Sequence, residues 1–113
     1  MVDGGCVLCC GTDLPLLIPH LGDSIYSACG GYFADGLDVN PQNTVSVAEL
    51  LRAWTAGGSY DLVRENDFGT LEAGKLADIC VLDRDVFAVD PKDARDIQVS
   101  LTLSDGRVVY EDC

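Results

Sequence analysis

The side chains in this sequence that could bind a metal or act as nucleophiles are mostly cysteines and carboxylates. The 113 residues include six cysteines, a single histidine and 19 acidic residues. Cys6, Cys9 and Cys10 form a C-x-x-C pattern, which can bind zinc or act as a redox pair. Zinc would need a second ligand pair, and a redox pair favours an exposed helix start, whereas these cysteines lie in an apolar run. We therefore interpret them, and Cys80, as small buried core residues.

The histidine and the densest group of acidic residues favour structural roles. His20 matches no ligand spacing, and we interpret it as a loop histidine. The acidic residues Asp83, Asp85, Asp90, Asp93 and Asp96 lack the alternate acidic positions, central glycine and terminal glutamate of a calcium-binding loop. We interpret this group as a solvated loop surface. With a single histidine, no Ser-His-Asp arrangement can be argued.

Composition and charge limit the classes of partner. The chain is 48% hydrophobic and 23% charged, which favours a folded core over a disordered tail. Its formal net charge of −12 and the lack of a basic stripe argue against nucleic acid and anionic membranes as partners. The apolar runs are shorter than a bilayer requires, and the N-terminus does not have the pattern of a signal peptide. We therefore expect a cytoplasmic protein.

The elements expected from periodicity give a mixed α and β chain. Residues 5–11 form a nearly continuous apolar run, which predicts a strand covered on both faces, and a loop follows it. A helix is predicted over residues 46–57, where Ser46 and Glu49 form a capping box. Gly57 and Gly58 would either end this helix or bend it, and Tyr60 and Leu62 could extend it after a break. Alternating apolar residues from Ile97, followed by an Asp-Gly turn, predict a hairpin over residues 97–111.

The order of these segments resembles the C-terminal part of metal-dependent amidohydrolases, closest to the branch that includes N-substituted formamide deformylases. The run from Gly69 to Asp83, which reads G-T-L-E-A-G-K-L-A-D-I-C-V-L-D, is similar to the family's G-x-L-E-x-G-K-x-A-D pattern. Residues 46–55 resemble the final barrel helix, and residues 5–13 resemble the eighth barrel strand, which ends in Gly-Ser/Thr-Asp. Residues 97–110 resemble the closing hairpin.

The resemblance implies a fold class and two domain portions. The expected fold is α+β, and residues 1–67 would be the remnant of the last β/α unit of a TIM barrel. Residues 68–113 would be part of the small β-sandwich that packs beside the barrel in this family. By the same resemblance, Asp13 at the end of the last barrel strand would be both a metal ligand and the catalytic group that relays the proton of the attacking water. Catalytic residues of such barrels lie at the C-terminal ends of strands.

The same resemblance predicts that the isolated chain is inactive. The family's other ligands, its His-x-His pair, bridging lysine and further histidines, have no counterpart in these residues. Catalytic zinc, the expected metal, normally takes three protein ligands, so we expect no metal on this chain alone. Two hypotheses remain open: part of an amidohydrolase acting on small amide-type substrates, or a non-catalytic β-rich interaction module. Strand edges left bare by missing neighbours predict association into homo-oligomers.

Overall fold

The computed structural model describes residues 2–11, 20–33, 36 and 41–112. The helical elements in chain order are a first 3-10 helix Val2–Gly4, α1 Leu21–Ala28, α2 Val47–Arg52, a π-helical segment Ala53–Gly57, α3 Gly58–Asp61 and a second 3-10 helix Pro91–Asp96. The strands are β1 Ile79–Leu82, β2 Val99–Ser104 and β3 Arg107–Glu111. Helices and a three-stranded sheet together confirm the mixed α and β class.

The chain divides into two compact units. The first comprises the described residues of Met1–Gly11, Leu51–Val81 and Ser100–Cys113, and the second those of Thr12–Leu50 and Leu82–Val99. In the second unit α1 packs against the second 3-10 helix. Ile25, Ala94 and Ile97 are almost fully buried there, at 1%, 0% and 1% exposure. This contact is part of the apolar core of the second unit, which also includes Leu50 and Val86.

The predicted capping box at the start of α2 is confirmed. The Ser46 hydroxyl accepts from the Glu49 N–H at 3.2 Å, and the Glu49 carboxylate accepts from the Ser46 N–H at 2.8 Å. Each side chain satisfies a backbone donor that the helix cannot. The helix does not end at the predicted bound, residue 57, but continues, which the sequence had left open. Gly57 and Gly58 keep helical φ angles of −64° and −63°, and the helical path runs on to Asp61.

The predicted hairpin is confirmed at the end of the chain. β2 and β3 are antiparallel, and the turn residues Asp105 and Gly106 have φ angles of 49° and 75°, as a two-residue hairpin turn requires. β2 begins at Val99 instead of Ile97, because Ile97 donates its N–H to the Ala94 carbonyl and closes the second 3-10 helix. The sheet order is β1-β2-β3, so β2 is central and the other two strands form the edges.

The strand predicted over residues 5–11 is not formed. Gly5 lies in a turn with a φ of 82°, and residues 6–11 have no regular secondary structure. A lone apolar run becomes a strand only where neighbouring strands supply hydrogen-bond partners, and the described residues supply no such ladder here. Among the same described residues, no helix has both the length and the apolar character needed to cross a lipid bilayer.

Candidate functional site

Asp13, the predicted catalytic residue and metal ligand, lies outside the described residues. The structure does describe the segment that leads to it. The Cys10 N–H donates to the Ala53 carbonyl at 3.2 Å. This bond ties the segment to the start of the π-helical segment within the first unit. It also gives a partner to a backbone donor that lies outside any sheet.

Residues 8–10 pack closely against the π-helical segment Ala53–Gly57. A Cβ atom placed on Gly57 would overlap the Leu8 carbonyl oxygen and would lie 3.2 Å from the Leu8 carbonyl carbon. Only glycine allows this approach of two backbones. Single π-helical turns inside α-helices often occur at functional sites. The sequence predicted that Gly57 and Gly58 end or bend the helix, but it did not predict the π-helical segment before them.

The interpretation of the cysteines as buried core residues is wrong for Cys6, Cys9 and Cys80. All three are exposed, because residues 6–11 form no covered strand and neither face of β1 is covered at Cys80 and Val81. Cys10 is half-buried, and burial raises the pKa of its thiol, with a smaller contribution from neighbouring Cys9. A raised pKa lowers the thiolate fraction at neutral pH, which argues against an activated nucleophile at Cys10.

His20 caps a helix. Its Nδ1 accepts from the Gly22 N–H at 3.1 Å at the start of α1. A ring nitrogen that accepts this bond has its lone pair occupied and cannot at the same time bind a metal. The loop interpretation placed His20 correctly outside the helix, and the structure adds this capping role.

The predicted solvated surface of acidic residues is confirmed. Asp83, Asp85, Asp90, Asp93 and Asp96 are all exposed. Three of them accept from backbone N–H groups: Asp83 from Gln98, Asp85 from Phe87 and Asp90 from Lys92. Carboxylates that satisfy backbone donors stabilise turns and helix starts. Across the described part of the chain, no three His, Cys, Asp or Glu side chains are grouped so that they could hold a metal ion.

The run from Gly69 to Lys75 is organised around the Lys75 ammonium group in the first unit. Lys75 Nζ donates to the Glu65 carbonyl at 2.7 Å and to the Thr70 hydroxyl at 2.6 Å, and it lies 2.8 Å from a Glu72 carboxylate oxygen. The side chain of Lys75 is only 17% exposed. All three ammonium donors therefore have partners, one in Glu65 and two within the loop, so Lys75 holds the loop together and has no donor left for a ligand.

Replacing Lys75 with methionine should raise the pKa of Glu72 toward its ordinary value. The Lys75 hydrogen bond, then the Thr70 hydroxyl and the Lys75 charge hold this pKa below 4.5. Because the pKa of the folded carboxyl is lowered, the contact stabilises the fold above pH 4.5 and is lost as the pH falls through the folded pKa. The measurement is an NMR titration of the Glu72 side-chain carboxyl in both proteins.

Glu49 is the internal control for this titration. Its pKa is lowered by the hydrogen bonds from Ser46 and should be the same in both proteins. If the Glu72 titration is unchanged in the Lys75→Met variant, the loop is not organised by the ammonium group.

Comparison with known proteins places the chain in a family. The sequence profile described as "Amidohydrolase family" matches residues 1–110. The chain is 30% identical to the N-substituted formamide deformylase of Arthrobacter pascens over 111 residues, which cover 98% of this chain and 20% of that protein. It is 29% identical to YtcJ of Bacillus subtilis (strain 168), whose name assigns it to the amidohydrolases, over 93% of this chain and 21% of YtcJ.

A third relative matches a shorter stretch. The imidazolonepropionase of Bdellovibrio bacteriovorus is 40% identical over 50 residues, or 44% of this chain and 12% of that enzyme. No solved structure matches the chain significantly.

The profile match covers nearly the whole chain, and on this basis the chain belongs to the amidohydrolase family. It spans about a fifth of the length of the two relatives that it matches over almost all of its own residues. The resemblance found in the motifs of residues 5–13, 46–55, 69–83 and 97–110 is thereby confirmed at the level of the family.

Proposed function

We propose that this chain is the C-terminal portion of a metal-dependent amidohydrolase that hydrolyses non-peptide C–N bonds of small amide-type molecules. The observation that carries the proposal is the family match over residues 1–110, combined with coverage of only about a fifth of the relatives. In this proposal residues 1–67 belong to the last β/α unit of a TIM barrel and residues 68–113 to a small β-sandwich. The name of the deformylase relative suggests N-substituted formamides as the first substrates to test.

Asp13 is the residue that this chain would contribute to the active site of the complete enzyme. In the proposal its carboxylate is a ligand of the divalent metal, with zinc as the expected ion, and takes a proton during hydrolysis. The described residues do not fit a metal centre, since no three suitable donors are grouped among them. A zinc site normally needs three protein ligands, so the remaining donors would have to come from other parts of the enzyme.

The 113-residue chain should therefore show no amide hydrolysis by itself. The experiment incubates the purified chain with zinc and a panel of N-substituted formamides, and compares product formation with that of the Asp13→Asn variant. We expect both proteins to match the protein-free blank. Turnover by the wild-type chain that disappears in Asp13→Asn would contradict the proposal, because one chain would then be sufficient for catalysis.

A second candidate function is a non-catalytic interaction module, with association of the chain into homo-oligomers. The observation that favours it is the exposure of apolar side chains along β3, where Val108, Val109 and Tyr110 are 56%, 62% and 50% exposed. An uncovered apolar edge strand is a surface on which another strand can pair.

A further inference from the structure

β3 is an edge strand that is uncovered on both faces. All five of its residues, Arg107–Glu111, are exposed. Because successive side chains of a strand point to opposite faces, exposure of consecutive residues means that neither face of β3 is packed against another layer. β3 pairs with β2 on one side only, so its other edge carries backbone groups with no strand beside them in the described part of the chain.

We infer that two copies of this chain pair edge to edge through β3, with the two strands antiparallel across a two-fold axis. This deepens the self-association named in the proposed function by giving it a surface and a geometry. β3 begins with Arg107 and ends with Glu111, and Asp112 follows it. Antiparallel pairing places Arg107 of each copy against the acidic end of the other, twice by symmetry.

The apolar residues between these charges are also self-complementary. Val108, Val109 and Tyr110 of one copy would face the same three residues of the second. Opposite charges and aromatic side chains opposite β-branched ones are favourable cross-strand neighbours. Parallel pairing would place Arg107 beside Arg107 and Glu111 beside Glu111, which is unfavourable. The charge pattern therefore selects the antiparallel, two-fold arrangement.

The other edge of the sheet does not have this complementarity. β1 is preceded by Asp78 and followed by Asp83, so antiparallel pairing of two β1 strands would bring acidic residues against acidic residues. Asp78 is moreover engaged within the first unit, where it accepts from the Asp105 N–H at 2.8 Å. The charges flanking the two edges thus distinguish β3 from β1.

The interface through β3 is short. The register of β2 and β3 shifts between Thr102 and Leu103, and Val109 has no Cα partner on β2. Such a bulge increases the twist of an edge strand and limits the length over which a further strand can pair. We therefore expect a weak dimer, with a dissociation constant on the order of 100 μM.

The test is a charge exchange across the two-fold axis, measured by sedimentation equilibrium under reducing conditions. Arg107→Glu places an acidic residue against Glu111 of the second copy, and Glu111→Arg places arginine against arginine. Each single variant should weaken the dimer roughly tenfold or more, since both symmetric pairs become repulsive. The double variant Arg107→Glu/Glu111→Arg restores opposite charges and should recover wild-type association. Circular dichroism checks that each variant is folded.

Lys92→Glu is the matched control, because it changes the net charge by the same amount as Arg107→Glu at an exposed position of the second 3-10 helix. It should leave association unchanged. A wild-type chain that stays monomeric well above 100 μM would overturn the inference and leave the edge for a strand of a longer protein. Equal weakening by Lys92→Glu, or no recovery in the double variant, would also overturn it. None of these results bears on the proposed hydrolase role, which the hydrolysis assay tests separately.

Discussion

Replacing Gly22 with alanine should destabilise the second unit by about 2–3 kcal/mol. In an ordinary helix the same change is stabilising by roughly 1 kcal/mol, because alanine is the better helix former. Here Gly22 is buried in the first turn of α1, and an added Cβ would overlap the Ala94 carbonyl oxygen and lie 2.8 Å from the Arg95 Cα. Both are backbone atoms, so relief requires α1 to move away from the second 3-10 helix.

That movement would disturb a group of contacts that depend on the same spacing. The Arg95 Cζ atom lies 3.9 Å above the Tyr26 ring centroid, and the Arg95 Nε atom lies 2.9 Å from Asp23 Oδ1. Cation–π contacts and ion pairs of exposed residues contribute modestly, but these two share one side chain and would be lost together. The packing of the buried Ile25 side chain would loosen at the same time.

Amide hydrogen exchange along α1 measures this effect. The Gly22→Ala variant should lose protection at Ile25 and at the Cys29 N–H, which donates to the Ile25 carbonyl at 2.9 Å. Gly58→Ala is the matched control, because Gly58 has helical φ and ψ angles and no atom within 4 Å of an added Cβ. Unchanged or increased protection in Gly22→Ala would show that α1 does not pack this closely.

Replacing Gly57 with alanine should destabilise the first unit by about 2 kcal/mol or more. The added Cβ would overlap the Leu8 carbonyl oxygen and would lie 3.4 Å from the Arg52 carbonyl oxygen. Both are backbone atoms, so relief requires residues 8–10 to move away from the helix. The hydrogen bond from the Cys10 N–H to the Ala53 carbonyl would then break.

Trp54 makes this change measurable. It is the single tryptophan of the chain and lies half-buried within the π-helical segment. Urea unfolding followed by its fluorescence should show a lower midpoint for Gly57→Ala than for the wild type. For Gly58→Ala, one residue further, the midpoint should be equal or higher, because the site is open and helical. Equal midpoints for the two variants would contradict the close packing of residues 8–10.

Local chemistry made several elements predictable from sequence. The capping box at Ser46 and Glu49 and the Asp-Gly hairpin turn each depend on residues close together in the chain. The hydrogen-bond partners of such elements are local, and the structure contains both. The family was also predictable, because its motifs are ordered along the sequence.

The conformation of residues 5–11 could not be predicted because it depends on residues that are distant in the sequence. An apolar run of this length becomes a strand only beside other strands, and here the described partner is the carbonyl of Ala53 in a helix. The prediction for Cys6 and Cys9 failed for the same reason, since it assumed that the strand was covered. The Lys75 network was also missed, because the G-x-L-E-x-G-K spacing does not reveal that the ammonium group donates to Thr70 in its own loop and to the Glu65 carbonyl before it.

The number of zinc ions bound per chain tests the central claim most directly. The purified wild-type chain and the Asp13→Asn variant are dialysed against zinc, freed of loosely bound ions and analysed by mass spectrometry. The Cys6→Ser/Cys9→Ser variant identifies any zinc held by the exposed thiols. If catalysis requires donors from elsewhere in the enzyme, all three proteins should retain far less than one zinc per chain. One tightly held zinc per wild-type chain, kept in the cysteine variant and lost in Asp13→Asn, would contradict this conclusion.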